Sequence, residues 1–270
     1  MRSLSESTLT AYIDGIGLIG PGLTSWHDSQ NLLTENAAYQ TAPTIFPTPM
    51  LLAAAERRRS GDLVRLTLAV GLEAAQHAGL DAANLTCVYT SSNGDGKNCH
   101  EICKTLASGD RQISPTRFHN SVHNAAAGYW SIATGAKTSI SVLCAFDASF
   151  GAGLLETASQ VITDDIPTLL IACDTPYPDP LNGVRPISGA MGVAMVMSPK
   201  ASDHTLARVD IKLTDSRPDQ LMHTELERLR TAIPAARSLP LLVAIAQRKS
   251  TAVVLDYLED LGISIEVMPC

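Results

Sequence analysis

Residues 138–162 constrain the fold more than any other stretch. A run suited to a strand, residues 138–146, passes through Asp147-Ala148-Ser149-Phe150-Gly151 into a helix over residues 148–162, with Gly151 and Gly153 near its start. A strand, a tight turn and a glycine-bearing helix in this order place one side chain at a helix N-terminus. Free backbone N–H groups and the helix dipole favour negative charge there. Enzymes use that geometry to carry a nucleophile and to stabilise an oxyanion.

The rest of the chain supplies alternating strands and helices. Residues 12–19 form a short strand ending in a glycine turn, and residues 25–33 a short helix capped by Ser25. Residues 41–49 hold three prolines and form a loop. Residues 51–78 are helical in pattern, with Leu63, Leu66, Val70 and Ala74 at helical spacing, a break at Ser60-Gly61-Asp62 and a stop at Gly79. Strands are expected at residues 85–90 and 167–173, and helices at 98–107 and, buried, at 120–133. Residues 190–197 and 205–213 are expected to form adjacent strands joined by a turn at Ser198-Pro199-Lys200. A helix over 221–233 follows, then strand, helix and strand over 241–246, 251–261 and 263–268. The alternation predicts one α/β domain over residues 1–270, with a mixed sheet covered on both faces.

Composition narrows the function. With 270 residues and 45% hydrophobic content the chain fills one sizeable core, and 17% charge is compatible with a large buried contact. A net charge of −7 disfavours nucleic acid as a partner. The basic run Arg57-Arg58-Arg59 reads as a solvated helix face. Six scattered cysteines look reduced rather than paired. No apolar run spans a membrane and residues 1–10 lack an apolar leader, so a cytoplasmic location is expected.

Two motifs resemble sites without completing them. Gly15-Ile16-Gly17-Leu18-Ile19-Gly20 is a GxGxxG after a strand, but Pro21 and Gly22 spoil the helix that a dinucleotide site needs. It is expected to be a tight glycine turn. Cys99, His100 and Cys103 lack a second ligand cluster, so no metal is expected and ordinary packing accounts for them. No cofactor is expected.

The residues Ser121-Val122-His123-Asn124-Ala125-Ala126-Ala127-Gly128-Tyr129-Trp130, followed by the strand and by Ser149-Phe150-Gly151-Ala152-Gly153-Leu154-Leu155-Glu156, resemble the ketosynthase (thiolase-fold) family. There an Asn-x-x-Ala-Gly helix precedes a strand and a Thr-Ala-Cys turn. Tyr12-Ile13-Asp14-Gly15-Ile16-Gly17 is similar to the family's first strand. Glu56-Arg57-Arg58-Arg59, then residues 69–80 ending in Ala78-Gly79-Leu80-Asp81, is similar to the family's helix before its second strand. The finer likeness is to truncated ketosynthase-like subunits found beside aryl polyene synthases. The resemblance implies a thiolase-like layered fold with a buried helix and a trimmed second half.

The departures from that family decide the expected role. Matching Gly151 and its helix puts Ala148 in the nucleophile slot, flanked by Asp147 and Ser149, whereas matching Ile140-Ser141-Val142 without a gap puts Phe146 there. Neither is a nucleophile. Cys144 is expected to be a buried, inert strand residue. Neither a His-Gly-Thr-Gly motif nor a glycine-rich Phe-Gly turn occurs after Cys173. The resemblance therefore implies a non-catalytic subunit of the chain-length-factor type. It would pair as a heterodimer with an active ketosynthase, meet an acyl carrier protein indirectly and help shape the acyl tunnel. The residues expected at the partner interface or tunnel are Asn120, Asn124, Tyr129, Trp130, Ile140, Val142, Phe146 and Phe150. The alternative is a serine acyl hydrolase or transferase using Ser149, with His204 or His223 as base and Asp174 or Asp179 as orienter.

Overall fold

A computed structural model describes residues 7–34 and 37–270. In chain order the elements are β1 (Leu9–Ile19), α1 (Trp26–Leu33), α2 (Ala54–Arg59), α3 (Asp62–His77), β2 (Thr86–Thr90), α4 (Gly96–Ala107), α5 (Pro115–His119), α6 (Ala125–Thr134), β3 (Ile140–Leu143) and α7 (Ser149–Asp164). They continue with β4 (Thr168–Asp174), α8 (Leu181–Val184), β5 (Met191–Ser198), β6 (Ala207–Thr214), α9 (Thr224–Ala232), α10 (Leu239–Gln247), β7 (Thr251–Leu258) and β8 (Leu261–Pro269). The strands form one sheet in the order β3-β2-β4-β5-β1-β6-β8-β7. β2 runs parallel to β3 and β4, and the other pairings are antiparallel. The expected strands near Tyr12, Leu85, Thr138, Pro167 and Ala190 thus share one mixed sheet.

Apolar side chains cover both faces of the sheet. Leu66, Val70, Ala74 and Trp130 from α3 and α6 pack on one face with Tyr89 and Ile171. On the other, Phe150, Leu154, Ala158 and Val161 of α7 share a core with Val88, Leu170, Ile263 and Leu241. β4 and β5 are buried at every position, as continuous apolar runs in a doubly covered sheet must be.

Gly15 and Gly17 do not form the expected turn. They lie inside β1, two residues apart and therefore on one face. A Cβ at Gly15 would sit 2.1 Å from the Ala74 carbonyl oxygen, and one at Gly17 1.9 Å from that of Val70. The glycines let α3 lie directly on the central strand. The break at Gly61 and the stop at Gly79 (φ +65) fall where the sequence puts them, as does the Ser25 cap, whose hydroxyl accepts from Asp28 N at 3.0 Å.

Three expectations about chain path are corrected. The strands at 190–197 and 205–213 exist but are not neighbours, because β1 lies between them and satisfies both. The C-terminal order is helix, strand, strand. Residues 239–247 fold as α10, with Pro240 in its first turn, where the missing N–H costs nothing. Residues 251–258 fold as β7, whose Val253, Leu255 and Tyr257 alternate at strand period against β8. The helix expected at 120–133 begins only at Ala125, after a turn.

Candidate functional site

Because β2, β3 and β4 are parallel, their carboxyl ends meet on one rim, the position where ligands bind in open α/β sheets. The turn after β3 stands there. The strand is shorter than expected, ending at Leu143. Ala145 then turns the chain (φ −130, ψ 38), and a single helical turn of 3-10 type spans Phe146–Ala148 before α7 begins at Ser149. Phe146 has a left-handed backbone, φ 54, the strained conformation that exposes a side chain at a strand-to-helix elbow. Ala148 has φ −84 and is buried. Ser149 pins the elbow. Its hydroxyl accepts from Ala145 N at 3.1 Å and donates to the Phe146 carbonyl at 2.7 Å. Gly153 lets α7 close on the sheet, since a Cβ there would lie 2.4 Å from Thr90 Cγ2 and 2.8 Å from Leu170 Cδ1.

At the tip, Phe146 is 60% exposed, and the Arg185 guanidinium carbon lies 3.4 Å from its ring centroid. Arg185 also donates to Asp147 Oδ1 at 2.9 Å, and Arg237 approaches Asp147 Oδ2 at 3.6 Å. Below them Asp174, at the end of β4, accepts from Ser92 N at 2.7 Å. Burial pushes the Asp174 carboxyl above its ordinary pKa, against the opposing pull of its hydrogen bonds. His123 Nε2 lies 3.0 Å from the Ser91 carbonyl and Cys144 Sγ 3.5 Å from that of Ser92. The elbow therefore presents an aromatic ring clamped by a guanidinium. Such a pair binds by packing and charge and offers no electron pair for attack.

The sequence-predicted residues divide by burial. Tyr129, Trp130 and Phe150 are core residues, and the Trp130 ring fills the space left by Gly71 on α3. The apolar surface of Tyr129 and Trp130 is already used inside the chain, whereas Phe146 presents its ring outward. Asn120 is buried, accepting from the Tyr129 hydroxyl at 3.4 Å. Asn124 is exposed at the start of α6. Ile140 and Val142 are half-buried on β3, which is an edge strand. Cys144 is neither buried nor within the strand: it is exposed, one residue past β3. Cys99 and Cys103 are also exposed, correcting the packing role expected of them. No cluster of metal-ligating side chains occurs among the described residues.

Ser149 as a nucleophile finds no support. It is 1% exposed, and its hydroxyl is committed to two backbone groups. His204 packs at Gly79 beyond α3, and His223 meets the Tyr39 ring edge-on at 5.6 Å. Arg185, Arg237 and His123 were missed as site residues. Arg185 and Arg237 lie in segments without periodic pattern and meet only at Asp147 in the folded chain, whereas His123 falls inside the run expected as a buried helix.

A cleft of about 1120 Å³ opens beside the rim, bordered by Arg59, Asp62, Arg65, Asp95, Asn120 and Thr175. Pro43, Phe46, Leu63 and Ala190 line it as well, so its wall mixes apolar and charged groups. Large apolar side chains are also exposed: Phe118 on α5, Val122, Ile132 on α6, Phe146 and Val184 on α8. Among the described residues, no helix is long and apolar enough to cross a membrane.

A family model described as the beta-ketoacyl synthase N-terminal domain matches residues 25–254. The chain belongs to this ketosynthase family. Solved structures share its fold. A chain of the complex of a ketosynthase (ApeO) with its chain length factor (ApeC) from Xenorhabdus doucetiae aligns with a TM-score of 0.73 and 21% identity, over 96% of this chain and 99% of that one. A chain of AntDE:AntF, a type II polyketide synthase acyl-carrier protein in complex with its ketosynthase, aligns with a TM-score of 0.73 and 10% identity, over 98% and 100%. Ketosynthase twelve of the bacillaene synthase from Bacillus amyloliquefaciens aligns with a TM-score of 0.57 and 15% identity, over 78% of this chain but 46% of its own. No curated protein sequence matches the chain. The thiolase-like layered fold expected from the sequence is therefore the fold of this ketosynthase relative.

Proposed function

We propose that this chain is a non-catalytic ketosynthase-like subunit of the chain-length-factor type. It acts as one unit, pairs with an active β-ketoacyl synthase and helps shape the acyl tunnel in polyketide biosynthesis of the aryl polyene kind. The observation that carries this reading is Phe146. The elbow that positions a nucleophile in this fold is built, strained and exposed here, yet it ends in a phenyl ring stacked by Arg185. That geometry favours Phe146 over Ala148 as the occupant of the nucleophile slot. The elbow offers no group that could carry an acyl chain covalently, so condensation falls to another subunit.

The pairing surface we assign is β3 with its surroundings. Among the described residues, the backbone of β3 bonds only to β2 and its flanking residues, leaving the outer edge free. Ile140 and Val142 sit on that strand, and Phe146 stands exposed three residues past its end. Apolar groups beside an unpaired strand suit a stable interface. A ketosynthase surface of the same fold would meet β3 across a pseudo-two-fold axis. The carrier protein would dock on the active subunit and reach this chain only through the shared tunnel. The solved complexes that share the fold, one pairing a ketosynthase with a chain length factor and one holding a carrier protein, support both assignments by analogy. Co-expression with candidate ketosynthases tests the reading: one should co-purify in equal amounts, and Ile140→Lys should abolish that. Recovery of the chain alone in every co-expression would refute it.

A further inference from the structure

The two edges of the sheet are treated differently. β3 ends one side and β7 the other. An edge strand exposes N–H and C=O groups that recruit further strands. On β7, Val254 has both of its outward groups taken. Asp219 N donates to the Val254 carbonyl at 2.9 Å, and Val254 N donates to Asp219 Oδ2 at 2.8 Å. One aspartate thus imitates a strand for one residue and then leaves.

The segment that carries it, residues 215–222, is tied down at both ends. Ser216 N donates to Thr214 Oγ1 at 3.1 Å. Leu221 N donates to Glu227 Oε2 at 2.9 Å. Glu227 is held by Arg230 at 2.6 and 2.7 Å, and Arg230, itself buried, also pairs with Asp256 on β7. The chain from Leu221 through Glu227 and Arg230 to Asp256 fastens the segment to the strand it covers. No comparable strap crosses β3 among the described residues.

We propose that residues 215–222 are an edge stop, in which Asp219 closes β7 so that the sheet accepts a new strand only at β3. Association through the sheet then ends at two subunits instead of continuing into an open, head-to-tail series. The limit to a pair rests on the β3 reading above. The closure of β7 does not.

Hydrogen exchange and sedimentation test the two parts separately. In the unaltered protein the Val254 amide should exchange at least tenfold more slowly than that of Ala252, which by strand period shares the outward edge. Asp219→Ala should remove that difference and leave the far-ultraviolet circular dichroism unchanged. Its sedimentation profile should then show species larger than a dimer that grow with concentration over the micromolar range. Ala252→Lys added to Asp219→Ala should suppress those species by placing a charge on the opened edge. Equal exchange at Val254 and Ala252 in the unaltered protein would overturn the stop without need of any variant. A deprotected Val254 with no growth beyond the species of the unaltered protein would overturn its role in limiting assembly. Ile140→Lys, which breaks only the β3 contact, should leave Val254 protection as it was, so failure of the pairing reading is distinguishable from failure of the stop.

Discussion

Replacing Gly17 by alanine tests the packing that organises the whole fold. The new methyl group would lie 1.9 Å from the Val70 carbonyl oxygen and 2.8 Å from its carbonyl carbon, both backbone atoms of α3. A tolerable C···O contact is about 3.3 Å, so helix and strand must part by roughly 1.4 Å at this point. A side chain could rotate away; a helix backbone can only shift as a body. α3 carries Leu63, Leu66, Leu68, Val70, Ala74 and Ala75 into the core. A gap of 0.5–1 Å already forfeits about a quarter to a half of the dispersion energy of a contact. Overpacking of this kind costs about 1–3 kcal/mol and more where backbone must move, so the expected loss is about 3 kcal/mol. The assay is urea unfolding followed by circular dichroism, with Gly128→Ala as control. Gly128 lies on α6 with nothing within 4 Å of its would-be Cβ, so alanine there should add about 0.5–1 kcal/mol of stability. A Gly17→Ala protein less than 1 kcal/mol weaker than the unaltered chain would show that α3 does not rest directly on β1.

The Arg230 hydrogen bond holds the Glu227 carboxyl below its ordinary pKa of 4.5. Its contribution is therefore complete above that value and lost as pH falls through the lowered folded value; Glu227→Gln should flatten the acid limb of a thermal-denaturation profile below about pH 5. Asp174 runs the other way, because burial raises its pKa above 3.8 in the folded state. Its ionisation costs stability as pH rises from that value through the raised one, and Asp174→Asn should melt higher than the unaltered chain at pH 7 but not below pH 3.8. Ser149→Ala should lose about 1–3 kcal/mol by unfastening the elbow and orphaning the Ala145 amide, yet leave product formation by the assembled synthase intact, as should Cys144→Ser. A proportionate loss of product in either variant would restore a catalytic role to that side chain.

Much of the fold was legible because its signals are local. The glycine that ends α3, the serine that caps α1 and the apolar runs of β4 and β5 each fix an element from a few neighbouring residues. What failed was non-local or ambiguous. Residues 190–213 hold two strands and a turn, and nothing in that stretch reveals that β1 inserts between them. Residues 241–246 are short and continuously apolar, a pattern that strand and helix share, and only packing against α1 and β7 decides for helix. The site was half legible. The elbow could be found, and its lack of a nucleophile followed from either alignment. Burial could not be read: Tyr129 and Trp130 look like interface aromatics until Gly71 opens a place for the indole. Arg185 stands on Phe146 from 39 positions away, beyond the reach of any sequence period.

Sedimentation of the chain mixed with a candidate ketosynthase at micromolar concentration, read alongside the length of the product made, tests the central claim. An equimolar complex is expected, with full-length product only when both subunits are present, and Val142→Asp should abolish both, since an unpaired charge in a buried contact costs several kcal/mol. A ketosynthase that elongates to full length alone, with no complex at that concentration, would contradict that claim.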